Sequence, residues 1–191
     1  MYKNIMAAML LVLPAVSQAE IELSDEQIEE LLDVKIRFAT HMAYQPNIIR
    51  AVEAQNGEQL TLAQIKERDE IWIGANGGSN SLIREITRND IARYLQRRVE
   101  NNSAIDEVFI TDNQGANVAA YPPTSDYWQG DEGKWTSSFN KGKGTIFIGP
   151  LEQDASTNKS QVQISAPIVS NDQTIGVLIM GVSVDYSEAQ Q

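Results

Sequence analysis

The chain contains no cysteine and a single histidine, His41, in 191 residues. Without thiols there is no disulfide framework, no cysteine nucleophile and no thiolate metal ligand. One imidazole with no thiol beside it leaves no zinc site. A Ser-His-Asp triad would have to recruit His41 from the first helix, between Phe38 and Tyr44, and no Gly-x-Ser-x-Gly elbow is present. His41 therefore reads as structural. Positive charge is also scarce: 15 Lys and Arg face 26 Asp and Glu, for a formal net charge of −11. That balance repels phosphate backbones and argues against a nucleic-acid partner. The glycine- and asparagine-rich stretch 74–80 is not followed by Lys-Ser or Lys-Thr, so it is no phosphate cradle. The run DNQG at 112–115 lacks the closing Glu of a calcium loop and reads as a hairpin turn. Neither cofactor nor metal is expected.

The one long apolar run, Ile5 to Val16, stands at the start. Lys3 precedes it and Ser17, Gln18 and Ala19 come after it, the pattern of a secretory leader cut after Ala19. The run is too short to cross a bilayer, which takes about 20 residues. A buried N-terminal helix is the plainer alternative. No cysteine stands after the cut, so a lipid anchor is not expected. Removing 1–19 leaves 20–191, a length that fits one domain with its own core. The expected location is the periplasm. With no apolar span after the leader, the module is expected to be exported and to have no membrane span of its own.

Beyond the leader the chain is helical first and stranded second, which predicts an α+β domain. A capping box at Ser24–Gln27 opens a long helix whose apolar face runs through Ile28, Leu31, Leu32, Ile36, Ala39, Met42 and Ala43. Pro46 breaks or restarts it, and Asn56-Gly57 stops it. Thr61 to Gln64 is a second capping box, and Asn89 reads as the N-cap of a later helix. Strands are predicted at 108–112, 117–121, 144–150, 161–169 and 174–186, taken as one antiparallel meander with a loop at 122–143. Alternation splits the last two strands into faces. Val162, Ile164, Ala166 and Ile168 share one face with Leu178, Met180, Val182 and Val184; Gln161, Gln163, Ser165, Ser183 and Asp185 share the other. Amide, hydroxyl and carboxylate groups aligned on one face suit the floor of a pocket.

These patterns are similar to those of the single Cache (PAS-like extracytoplasmic) sensor domains of bacteria. The likeness rests on the helix ending at 44–51, the turn at 108–115, the string TSDYWQGDE at 124–132, Ser165–Ile168 and the strand 175–182. It covers the whole chain after the leader and is nearest to a stand-alone subgroup. It implies a five- to six-stranded antiparallel sheet, a long N-terminal helix on one face and a ligand pocket on the other. In amino-acid-binding members an Asp at the end of the last core strand anchors the ligand amine, and Asp185 falls there. The Arg-x-Trp-Tyr cluster those members use for the carboxylate is missing; Asp126, Tyr127, Trp128 and Gln129, with Lys134 and Trp135, stand in that region. The ligand class therefore stays open among amino acids, amines and carboxylates.

The candidate ligand-binding residues are Tyr121, Asp126, Tyr127, Trp128, Lys134, Trp135, Gln163, Ser165, Ser183 and Asp185. For each there is a plainer role. The tryptophans close over a ligand or simply pin the loop. Asp126 anchors a ligand or caps a short helix beginning near Tyr127. Lys134 meets a ligand carboxylate or is a solvated charge. Tyr121 lines the pocket mouth or packs. The first functional expectation is a sensor module that encloses a small polar or zwitterionic molecule and reports it to a membrane receptor or signalling protein, with homodimerisation left open. The second is a ligand-free interaction module of the cell envelope. The third, a hydrolase, lacks a nucleophile with a base, so no enzyme is expected.

Overall fold

The computed structural model describes residues 25–153 and 160–184; the leader, Ser24 and Asp185 lie outside the described residues. Helix α1 spans Asp25–Ala43 and α2 spans Pro46–Gly57. Gln45, in extended geometry, places Pro46 at the first helical position, where its missing N–H costs nothing. The proline thus restarts the helix. Helix α3, Leu62–Ile73, begins at the predicted capping box: Thr61 accepts from the Gln64 amide, and Gln64 reaches back to the Thr61 N–H.

Helices α4 (Ser81–Arg88) and α5 (Asp90–Glu100) meet at Asn89. Its Oδ1 accepts from the Ala92 N–H at 2.8 Å and its Nδ2 donates to the Val118 carbonyl at 2.9 Å. One side chain therefore caps α5 and covers part of the sheet edge, where an open carbonyl would invite foreign strands.

The strands are β1 (Ile105–Thr111), β2 (Asn117–Tyr121), β3 (Phe147–Ile148), β4 (Glu152–Gln153), β5 (Ser160–Ser170) and β6 (Gln173–Ser183). They form one antiparallel sheet in the order β2-β1-β6-β5-β3, with β4 also paired to β5. The meander expectation is corrected: β6 lies between β1 and β5, so two hairpins are joined through the last strand. Sequential strands cannot report that crossing, because the loop 122–146 carries the chain over the sheet before β3.

The two faces are covered separately. On one, α1 and α2 and the inward side of α5 bury Met42, Ile48, Val52 and Leu95 against Val108, Ile110, Ile164, Leu178 and Met180. On the other, α3, α4 and the segment after β2 bury Ile65, Trp72, Ile83 and Tyr127 against Phe109, Val177 and Ile179. Helix α6, Gly133–Phe139, lies over β5 and β6 on this second side. The helix expected near Tyr127 thus begins six residues later, because Tyr127 to Gln129 are held in extended geometry beside β2. The Asn117 N–H donates to the Tyr127 carbonyl at 3.0 Å, and the Gln129 N–H to the Gly115 carbonyl at 2.8 Å. Gly115 is required there: φ is +86°, and a Cβ would stand 2.4 Å from Gly130 Cα.

Candidate functional site

The second side of the sheet is apolar at one end and polar at the other. Cross-strand register makes two rows. Phe109, Ile179, Ser165 and Phe147 are neighbours in one; Glu107, Gly181 and Gln163 are neighbours in the next. Beyond them the Asp106 carboxylate accepts from Gln161 Nε2 at 2.9 Å and from the Ser183 hydroxyl. The bulge between Ile105 and Glu107 lets Asp106 reach this side.

Glu107 is held at its place by two neighbours. Gln163 Nε2 donates to its carboxylate at 3.1 Å, and Gly181 leaves the space its side chain crosses. Burial pushes its carboxyl above the usual range; the Gln163 hydrogen bond and the charge of Lys134 oppose that rise, and Asp106 adds to it. Lys134, the second residue of α6, places its ammonium 5.4 Å from the centre of the Phe109 ring. Its side chain is only 17% exposed, yet the nearest carboxylate oxygen, on Glu132, is 3.9 Å away. Among the described residues Lys134 Nζ makes no hydrogen bond; Glu132 pairs with it in charge, and Glu107 and Asp126 feel its field.

Two neutral groups lie on the same side. Among the described residues the fully buried Ser165 hydroxyl has no partner, and the buried Trp135 Nε1 has none either. Trp135 is fixed by stacking on Phe139, with ring centres 4.7 Å apart and planes 12° apart. Two buried groups, an indole N–H and a hydroxyl, therefore sit beneath or on α6 without partners among the described residues. Unpaired buried donors cost about 1–3 kcal/mol each, so an arrangement that keeps them calls for a reason.

The loop residues divide. Tyr127 is fully buried, 6.1 Å from Trp72 between ring centres, and serves the core. Burial raises its phenol pKa, and the nearby Arg68 weakens that rise without taking up hydrogen-bond geometry to the Tyr127 hydroxyl. Trp128 donates from Nε1 to the Gln114 carbonyl at 2.8 Å and carries Lys66 Nζ 4.9 Å above its ring. Its ring ties the loop to the β1–β2 turn. Asp126 accepts from the Gln129 amide, and burial, then the charges of Asp69 and Glu132, raise its pKa. Asp126 is thus no helix cap; α6 is preceded by Glu132.

Of the expected site residues, the structure brings Lys134, Trp135, Gln163, Ser165 and Ser183 to one side of the sheet, with Asp126 linked to Lys134 through charge. Tyr121 is corrected: it pairs with Val108, faces the α1–α5 side, and donates its hydroxyl to Glu100 Oε1 at 3.1 Å. Tyr127 and Trp128 are engaged in packing and backbone hydrogen bonds. Asp185 lies outside the described residues. Asp106 and Glu107 escape a reading by pattern. Beginning the first strand at Val108 hides them, whereas alternation carried two residues further back puts Glu107 in line with Phe109. His41 is exposed, its ring 3.0 Å from Gln45 Nε2.

Among the described residues no group of three or more His, Asp or Glu is placed to hold a metal. No helix among them is long and apolar enough to cross a membrane.

No family model matches the chain, and no curated relative matches it. Solved structures with some likeness include the sensor domain of the Vibrio cholerae histidine kinase DctB, at 16% identity and a TM-score of 0.49 over 85% of this chain and 52% of that one. Another is the ligand-binding domain of the Campylobacter jejuni chemoreceptor Tlp3 in complex with L-valine, at 13% identity and a TM-score of 0.39, covering 85% and 65%. A third is the ligand-binding domain of the Pseudomonas aeruginosa amino acid chemoreceptor PctC in complex with GABA, at 13% and 0.41, covering 82% and 62%. The chain thus spans between 52% and 65% of the length of these three.

Proposed function

We propose that this chain is an exported ligand-binding sensor module, a single domain over 20–191, that holds a small organic molecule between the polar end of its sheet and α6. The observation that carries this reading is the pair of buried groups without partners among the described residues, Trp135 Nε1 and the Ser165 hydroxyl, on the side of the sheet where the Lys134 ammonium also lies. A ligand carboxylate accepts from the indole N–H and the hydroxyl and adds to the charge facing Lys134, and the Glu107 carboxylate beside them accepts from a ligand amine. Phe109 and Ile179 give the apolar floor such sites use around a few polar contacts. A zwitterion or a small carboxylate fits this inventory best.

Reporting is a consequence of shared strands. Helix α6 rests on β5 and β6 from one side and α1 packs on the same two strands from the other. A ligand that draws α6 down therefore has a direct mechanical route to α1, where a receptor or signalling partner reads it. Binding of this kind shifts a population only through unequal affinity for the two positions of α6.

Isothermal titration of the chain without its leader against amino acids, amines, carboxylates and purines tests the reading. Saturable binding of one class, lost in Lys134→Ala, supports it; no heat from any class sinks it. A second reading, a ligand-free interaction module, draws on Ile146, Ile148 and Leu151, which are exposed around the short edge strand β3. In that case Ile148→Asp abolishes partner capture while small molecules have no effect.

A further inference from the structure

On the opposite side of the molecule from α6, an open groove of about 510 Å³ runs between α1 and the end of α5. Phe38, Tyr94, Arg97, Arg98, Asn101 and Asn102 line it. Among the described residues no Asp or Glu lines this groove. Neither guanidinium has a carboxylate partner among the described residues. Glu100, the closest acid in sequence, is turned away: its Oε1 accepts from Gln96 Nε2 at 2.8 Å and from the Tyr121 hydroxyl at 3.1 Å.

The cations are also arranged. Arg98 lies with its guanidinium carbon 4.8 Å from the Tyr94 ring centre, which fixes the plane of the fork and leaves its N–H edge free. A third cation stands behind: the buried Lys35 donates from Nζ to Asn102 Oδ1 at 3.0 Å. Asn102 Oδ1 also receives the Ala104 N–H at 3.3 Å, so the group Asn102 has left to offer is its Nδ2 donor. The C-terminal carbonyls of α5 oppose an anion here, and Asn101 Nδ2, at 2.6 Å from the Arg97 carbonyl, covers one of them.

We infer that this groove is a second binding site, for a planar organic carboxylate whose flat body lies along Phe38 while its oxygens meet the Arg97 and Arg98 forks. Guanidinium forks match carboxylate geometry in pairs of parallel hydrogen bonds, and the aromatic wall selects a flat body over a bare ion. The inference stands apart from the α6 site and does not depend on it.

The test is titration of the 15N-labelled chain with benzoate and, separately, with inorganic phosphate. Chemical shifts of the Arg97 and Arg98 Nε–H and the Asn102 side-chain amide are monitored. Expected is saturable movement of these signals with benzoate, weaker with phosphate. In the Arg97→Ala, Arg98→Ala double variant, benzoate affinity read from the Asn102 amide falls at least about tenfold, the loss of one charge-assisted pair of bonds. Both side chains are exposed, so the variant is expected to fold. Linear, unsaturated shifts overturn the inference. So does equal response to phosphate, which reduces the groove to a helix end dressed with basic residues, and so does affinity unchanged in the double variant.

Discussion

Gln163 and Glu107 meet across Gly181: the carboxamide on β5 donates to the carboxylate on β1 at 3.1 Å, over the strand that lies between them. A Cβ at 181 would stand 2.7 Å from Glu107 Cγ, so the glycine is what lets the two side chains join. Because the obstructing atom belongs to a flexible side chain, Gly181→Ala is expected to move Glu107 and not the strands. Gly176 is the opposite case. A Cβ there would stand 2.2 Å from the Thr111 carbonyl oxygen, which the sheet holds in place. Chemical denaturation should therefore separate them: below about 1 kcal/mol for Gly181→Ala and about 2–3 kcal/mol for Gly176→Ala. Equal losses would mean that Glu107 is as rigid as the backbone.

Much of this architecture is legible in spacing. Thr61 and Asn89 announce their helices, because a cap is a local event between residues three apart. Alternation in β5 and β6 separates the two faces correctly, since a period of two survives whatever the strand order. The insertion of β6 between β1 and β5 is not legible, because pairing partners leave no mark on a strand's own pattern. For the same reason the second duty of Asn89, its bond to the Val118 carbonyl, lies outside local reasoning. Lys134 and Trp135 are singled out by standing in the segment after β2, and Ser165 by falling on the polar face of β5. Tyr121 misleads by its proximity to the loop, when its register opposite Val108 decides its face.

Buried carboxylates set the sign of the pH dependence. Burial raises the folded-state pKa of Glu107, Asp112 and Asp126 above the ordinary values of 4.5, 3.8 and 3.8. The folded chain then holds protons that the unfolded chain has released, so stability falls as pH rises from the ordinary carboxyl range through each raised value. Glu107→Gln removes one of these contributions. Its urea midpoint is expected to exceed that of the parent at neutral pH and to converge with it near about pH 4, where both forms are uncharged. Parallel profiles across that range would show that Glu107 titrates normally.

The β1–β2 turn is organised by one acid. Asp112 Oδ1 accepts from the N–H groups of Gln114 and Ala116 at 2.8 and 2.9 Å, and its Oδ2 from Gln55 Nε2 at 2.9 Å. The turn is thereby joined to α2 and, through Gln114, to the Trp128 indole. Asp112→Ala is expected to cost at least about 2 kcal/mol, since buried donors are left unpaired. Asp112→Asn should cost less, keeping the turn while presenting an amide N–H to Gln55. Thermal denaturation of the two variants checks the order, and a smaller loss for alanine would refute it.

Ser165 provides the sharpest separation of binding from folding. Its hydroxyl is fully buried without a partner among the described residues, on the row that joins Phe147, Ile179 and Phe109. A group kept in that condition for packing alone could be removed at no loss, because a methyl needs no hydrogen bond. Ser165→Ala is therefore expected to leave the unliganded chain as stable as the parent or more stable by up to about 1 kcal/mol. The same variant should bind the ligand about fivefold to tenfold more weakly, the value of one neutral hydrogen bond. Denaturation without ligand and titration with it measure the two terms on one protein. A variant that loses stability and keeps full affinity would make Ser165 an ordinary core residue and remove it from the site.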